Sequence, residues 1–254
     1  MNGILLALQF FTVLPIRKEL PLGRKEVTAM YIALPFVGAT IGLLMYGVSE
    51  LLLSGLSTGT FLAAVCIVLT GILLTGGLHF DGWTDTGDAF FSYQDREKRL
   101  EIMEDPRIGA FGTMALLFLI LIKIALFNEI LEKGIAYFIL FLAIPFLARV
   151  GMTIYFSKTP TAKSSGLAYF FQEKLHSKIV VIVSSLSGIA ILIAVWLMVE
   201  SVIVPLLLFI LLAIGILRFR HWSLKHFGGV TGDLSGAFIE GMEVILWIAV
   251  LLFI

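Results

Sequence analysis

Three aspartates, Asp81, Asp85 and Asp88, fall within eight positions of the stretch GGLHFDGWTDTGDAFF (76–91), directly after the apolar run TFLAAVCIVLTGILLT. Their i, i+4, i+7 spacing puts all three carboxylates on one face if the preceding helix continues through them. Two such charges about 6 Å apart repel by nearly 3 kcal/mol at an effective dielectric of about 20, but by well under 1 kcal/mol in bulk water. The pattern is harmless in a solvated loop and costly at a partly buried mouth. The interleaved Phe80, Trp83, Phe90 and Phe91, with glycines at 76, 77, 82 and 87, favour the packed setting.

A divalent cation turns that repulsion into attraction. The donors are oxygens; the one cysteine, Cys66, lies in an apolar run, and His79, His176, His221 and His226 form no paired zinc motif. That donor set favours Mg²⁺, or Mn²⁺ in its place, over zinc. His79 is the histidine near enough in sequence to be considered for proton transfer. Because Mg²⁺ usually holds phosphate as well, the basic residues nearby become candidates for anion binding. Arg99 and Arg107 follow on the same connection, with Arg107 beside the start of the next apolar segment, where a helix N-terminus also favours an anion. Arg149, inside an apolar run, should face the bundle interior or a wet cavity, whereas Lys123 reads as a snorkelling side chain. A second segment, HWSLKHFGGVTGDLSGAF (221–238), brings Lys225 and Asp233, and its Thr231-Gly232-Asp233 echoes Thr86-Gly87-Asp88.

The elements that must position these groups are apolar helices. Of the 254 residues 59% are hydrophobic and 14% charged, with a mean hydropathy of +1.02, outside the range of soluble domains. Runs of about 20 apolar residues span a bilayer of about 30 Å, and backbone in lipid must bond within its own segment, so the spans are helices. Seven are predicted, near 30–53, 60–78, 109–127, 135–156, 179–199, 202–218 and 237–254, with residues 3–14 as a short interfacial helix. The expected fold is all-α, a polytopic transmembrane bundle forming a single membrane domain over 1–254. The start, MNGILLALQFFTVLPIRK, lacks a basic region ahead of its apolar stretch and is expected to stay in the fold.

Net charge is zero, but its distribution is not even. Fifteen of the 18 basic residues lie in the connections 15–29, 79–108, 157–178 and 218–236, against Lys133 alone on the other side. The positive-inside rule makes the basic side cytoplasmic, with the candidate site opening there and the C-terminus outside.

The strings GLHFDGWTDTGD (77–88), RLEIMEDPRIG (99–109) and GGVTGD (228–233) resemble the signature of cobalamin synthases, the adenosylcobinamide-GDP ribazoletransferases, and the likeness runs from FFTVLP (10–15) to the last helix. The resemblance implies a Mg²⁺-dependent reaction in which α-ribazole, or its 5′-phosphate, attacks the β-phosphorus of adenosylcobinamide-GDP, completing the nucleotide loop of adenosylcobalamin and releasing GMP. It assigns Asp81, Asp85 and Asp88 to metal binding, with Asp233 completing a second cation site or positioning the ribazole hydroxyl. Arg107 and Arg149 would hold phosphate, with Arg99 and Lys225 as weaker candidates. Two departures stand out: Val13 where the family often has arginine, and acid and proline in EDPR (104–107) where a basic residue and serine are common. The partners expected are the two substrates and the lipid bilayer of the cell membrane. Nucleic acid is not among them, and self-association or docking of other cobalamin-pathway enzymes stays open.

Two rivals share part of the pattern. A lipid-making CDP-alcohol phosphotransferase has the same metal chemistry, but its D-x-x-D-G-x-x-A-R opening is not present in the acidic run. A cation channel predicts acid in mid-span or on both faces, whereas the outer connections here are nearly bare.

Overall fold

A computed structural model describes residues 2–93, 95–135 and 137–254. Its helices, in chain order, are α1 (Asn2–Phe11), α2 (Arg24–Glu50), α3 (Thr60–Thr75), α4 (Leu78–Ser92), α5 (Arg96–Ile102), α6 (Ala110–Glu132), α7 (Phe138–Lys158), α8 (Gly166–Glu173), α9 (Ser177–Val199), α10 (Ile203–His226) and α11 (Gly232–Phe253). A π-helical turn, Leu51–Gly55, extends α2. No β-strand occurs among the described residues, only an isolated bridge between Thr161 and Val230. Six helices, α2, α6, α7, α9, α10 and α11, are long and apolar enough to cross a membrane, and the bent pair α3 and α4 brings the total to as many as seven. The chain is a multi-pass helical membrane protein, as its hydropathy requires.

The centre of the bundle is the α2–α7 pair. Without a hydrophobic force between helices in lipid, close backbone approach supplies the packing, and small residues permit it. Gly38 and Gly42 of α2 lie against the Pro145 and Phe141 carbonyls of α7, so that a Cβ at Gly42 would sit 1.8 Å from the Phe141 oxygen. Tyr31 of α2 stacks on Phe156 of α7 with ring centroids 4.8 Å apart. Around this pair Leu34, Ile41, Leu140, Ile144 and Leu147 are buried. Gly42→Leu forces these backbones apart. It is expected to abolish folded protein extracted in mild detergent, measured as the monodisperse fraction on gel filtration, whereas Gly47→Leu, with open space at its Cβ, leaves that fraction unchanged.

The N-terminal helix is part of this packing. Leu6 and Ala7 are buried, Gly3 abuts Ala29 of α2, and Phe10 meets Phe171 of α8 edge to face at 5.2 Å. That places α1, α8 and the start of α2 at one end of the bundle, where the His176 backbone N–H also donates to Thr28 Oγ1.

The sharpest feature is the break between α3 and α4. Gly76 (φ +63) and Gly77 (φ +75) both adopt the left-handed conformation. The Gly76 and Gly77 N–H groups return to the Leu73 and Ile72 carbonyls, ending α3 in a glycine cap that two side-chain-bearing residues would strain. The chain then turns by 93°. The apolar run predicted as 60–78 therefore stops at Thr75, and the acids ride on a new helix packed against α6 and α11.

Candidate active site

All three acids fall within α4, so their shared face survives the break in the helix before them. They do not have the same surroundings. Asp81 is exposed, Asp85 half-buried and Asp88 buried. Asp88 accepts hydrogen bonds from the backbone N–H groups of Gly109 (3.0 Å) and Gly112 (3.1 Å) at the start of α6. The anion expected at that helix N-terminus is thus the protein's own carboxylate, which satisfies amides that would otherwise lack partners. Gly112 makes this contact tight, because a Cβ there would lie 3.0 Å from the Asp88 Cβ.

Asp233 joins the face from another helix. It lies in the first turn of α11, whose N-cap Thr231 accepts from the Leu234 N–H. The helices α4 and α11 touch through glycines: a Cβ on Gly82 would stand 2.6 Å from the Asp233 carbonyl oxygen, and one on Gly236 would stand 3.2 Å from the His79 Cα. The two TGD segments therefore have different local roles, the first mid-helix and the second opening a helix, although both helices meet at the same place.

Burial first, and then the charges of Asp81, Asp233 and Asp88, push the Asp85 carboxyl up to about 7. None of Asp81, Asp85 and Asp233 forms an ion pair among the described residues. Among those residues, too, no three His, Cys, Asp or Glu side chains stand close enough to hold a metal together. The donor chemistry nonetheless suits a hard cation: oxygen ligands only, uncompensated, with neighbouring charges that resist the ionised state. A cation there would require the side chains to converge.

This predicts a pH dependence with a definite sign. A carboxyl whose pKa is higher in the folded protein than in the unfolded one stabilises the fold while protonated, and that contribution is lost as pH rises through about 7. Metal-free protein is expected to lose about 1 kcal/mol, after allowance for the half-exposed setting, between mildly acidic and mildly alkaline pH. Thermal unfolding with and without Mg²⁺ checks it, with added Mg²⁺ raising Tm above pH 7 and hardly at all below it.

The four expected phosphate ligands have different settings. Arg107 is exposed and bound to Asp105 of its own loop at 2.6 Å. Arg99 is buried, donating to the Tyr93 carbonyl at 2.6 Å, meeting His226 Nδ1 at 3.0 Å and lying over the Phe90 ring, so it fastens the end of α4 to the end of α10. Lys225 is exposed near the end of α10. Arg149 is 2% exposed, donating to the Pro145 carbonyl at 3.0 Å and to Glu243 at 2.8 Å. Glu243 also accepts from Lys123 at 3.0 Å, and Lys123 pairs with Glu240. Lys123 is therefore a buried member of a four-charge network and does not snorkel, since two carboxylates of α11 lie within its reach. The network joins α6, α7 and α11 beneath α4, with Lys123 Nζ 5.2 Å from the Phe80 ring centroid. Nearby, His79 is buried with its Nε2 unpartnered.

A cation that shares a pocket with Asp233 is Lys163, which in the sequence is one more basic loop residue. Three connections are pinned together at this end of the bundle. Arg96 donates to the Phe227 carbonyl at 2.8 Å, the Ala162 N–H to Val230 O at 3.0 Å and the Val230 N–H to Pro160 O at 2.9 Å. Between them is a cavity of about 120 Å³ lined by Lys163, Ser165, Thr231, Glu104 and Asp233 among others. A wider cavity of about 550 Å³ is lined by Asp81 and Thr84 among apolar residues such as Phe10, Leu78 and Ile108. Asp233 thus lines a small pocket and Asp81 a large amphipathic one.

A bundle of membrane-crossing helices with a cluster of carboxylates and a small pocket among its loops defines an integral-membrane protein. The chain belongs to the cobalamin-5-phosphate synthase family, whose model matches residues 3–251. It is 39% identical over 247 residues, covering 97% of this chain and 94% of the relative, to an adenosylcobinamide-GDP ribazoletransferase of Geobacillus thermodenitrificans (strain NG80-2). A ribazoletransferase of the same description from Clostridioides difficile (strain 630) is 33% identical over 258 residues, covering 100% of this chain and 98% of the relative. No solved structure matches the chain.

Proposed function

We propose that the acidic face of α4, completed by Asp233, carries out the reaction for which these relatives are named. α-Ribazole or its 5′-phosphate is joined to adenosylcobinamide-GDP, the assembly of the nucleotide loop in cobalamin biosynthesis. In the transfer an acceptor hydroxyl oxygen bonds to the β-phosphorus and the bond from that phosphorus to the bridging oxygen breaks. The electron pair leaves with GMP, and the hydroxyl proton passes to a base.

The observation that carries the reading is the set of carboxylates without cationic partners at the α4–α11 junction. Asp81, Asp85 and Asp233 would hold Mg²⁺, which supplies charge neutralisation on the phosphoryl oxygens and leaving group. Asp233, which lines the loop pocket, would accept a hydrogen bond from the acceptor hydroxyl. Asp88 fixes α6 against α4 and so sets the spacing of the face. Arg149, with Glu243, Lys123 and Glu240, holds the helices beneath it. The large amphipathic cavity beside Asp81 suits a donor that is partly apolar, while the acceptor enters from the loop side. The concentration of basic residues at the loop end supports a cytoplasmic orientation in the cell membrane, with the C-terminus outside.

The test is direct. Purified protein in lipid, given the GDP-activated corrinoid, ribazole and Mg²⁺, should release GMP and stop when chelator is added. Release of CMP from a CDP-alcohol under the same conditions, with no GMP from the corrinoid, would contradict the reading.

A further inference from the structure

The pocket between the loops has a composition that metal binding alone does not explain. At about 120 Å³ it is well below the 300–1,000 Å³ of sites that enclose whole small molecules, and it accommodates one anionic group. Lys163 Nζ donates to the Leu100 carbonyl at 3.2 Å and pairs with Glu104 at 2.5 Å. The two partners differ in setting: the Lys163 side chain is 29% exposed and that of Glu104 70% exposed. The cation is held by its surroundings, and its carboxylate partner stands mostly in water. Ser165 and Thr231 add hydroxyls to the wall, and Gly166 and Leu167, at the start of α8, line it too. Ser165, the N-cap of α8, makes no side-chain cap bond, which leaves first-turn amides for a ligand.

We propose that this pocket binds the 5′-phosphate of the acceptor, that Lys163 is the residue selecting phosphorylated over unphosphorylated ribazole, and that Glu104 occupies the anion's place until substrate arrives. The proposal rests on the ribazole-transfer reading above and deepens it. A phosphate on Lys163 sets the attached ribose beside Asp233, which lines the same pocket, and so beside the acidic face. Repulsion between that phosphate and Asp233 is offset when the Asp233 carboxylate is committed to a cation. Exchange of Glu104 for phosphate is favourable because a lysine gains more from a doubly charged group than from an exposed carboxylate that solvent already satisfies. The name of the matching family, which specifies a 5-phosphate, agrees with an acceptor that carries one.

The discriminating quantity is the ratio of KM values for α-ribazole 5′-phosphate and α-ribazole, measured by GMP release in lipid. Loss of one charge-assisted contact predicts that Lys163→Met shifts this ratio against the phosphorylated acceptor by about tenfold or more, and Lys163→Arg restores most of it. Glu104→Gln, which removes the competing anion, shifts the ratio in the opposite direction. Calorimetric binding of each acceptor to the same proteins reads the difference without turnover. Equal losses for both acceptors would mean that Lys163 only braces the loops. A change confined to KM for the corrinoid donor would assign the pocket to the diphosphate instead. Either result, or an unchanged ratio, overturns the proposal. Absence of GMP release from wild-type protein with both acceptors, alongside Lys163-dependent binding of the phosphorylated one, would instead overturn the ribazole-transfer reading.

Discussion

Replacing Asp85 with asparagine is expected to lower GMP release by about a thousandfold or more, equivalent to about 4 kcal/mol of transition-state stabilisation, while leaving the protein folded. Burial, and then the charges of Asp81, Asp233 and Asp88, resist the ionisation of Asp85. The amide removes a repulsion and one ligand together, so stability should hold or rise as activity falls. Asp88→Asn should behave differently. Both Asp88 oxygens accept N–H groups from α6, and an amide nitrogen facing one of those donors costs about 1–2 kcal/mol of stability. Assay of the two variants beside thermal unfolding separates a residue acting on substrate from one acting on packing. Near-normal turnover in Asp85→Asn would remove Asp85 from the site.

The second large effect concerns the charges in the bundle interior. Glu243 accepts from both Arg149 and Lys123, and the four-residue network balances two cations against two carboxylates. Glu243→Leu leaves two buried cations sharing Glu240, an imbalance that costs about 3–5 kcal/mol, or a Tm lower by roughly 10 °C in a protein of this size. Removing a charge of each sign, as in Glu243→Leu with Arg149→Leu, restores the balance. The double variant should recover most of the loss, because a buried pair is worth little more than apolar side chains of similar volume. Unfolding in detergent by circular dichroism measures both. A double variant less stable than either single one would show that Arg149 stabilises the bundle through contacts besides Glu243, such as the Pro145 carbonyl.

Hydropathy made most of the helices legible, because a run that must span lipid has to declare itself in composition. The acids were legible for a similar reason: carboxylates at that spacing are expensive without a purpose, and α4 keeps them on one face. The break at Gly76 and Gly77 was visible as a glycine pair, but its 93° turn needed two left-handed residues in succession, which no hydropathy pattern encodes. Asp88 capping α6 and Arg149 pairing with Glu243 depend on partners 21 and 94 residues away, and a single sequence offers no signal linking them. Lys163 was missed because its significance comes from three loops meeting, not from its neighbours in the chain.

The central claim is that Asp81, Asp85 and Asp233 together bind a divalent cation. It is tested most directly by titrating Mn²⁺ into the purified, substrate-free protein while following the free-ion electron paramagnetic resonance signal. Saturable binding in the wild type that weakens at least about tenfold in both Asp85→Asn and Asp233→Asn is the expected result. Binding that is the same in all three proteins, or no saturable binding in any of them, would contradict the account.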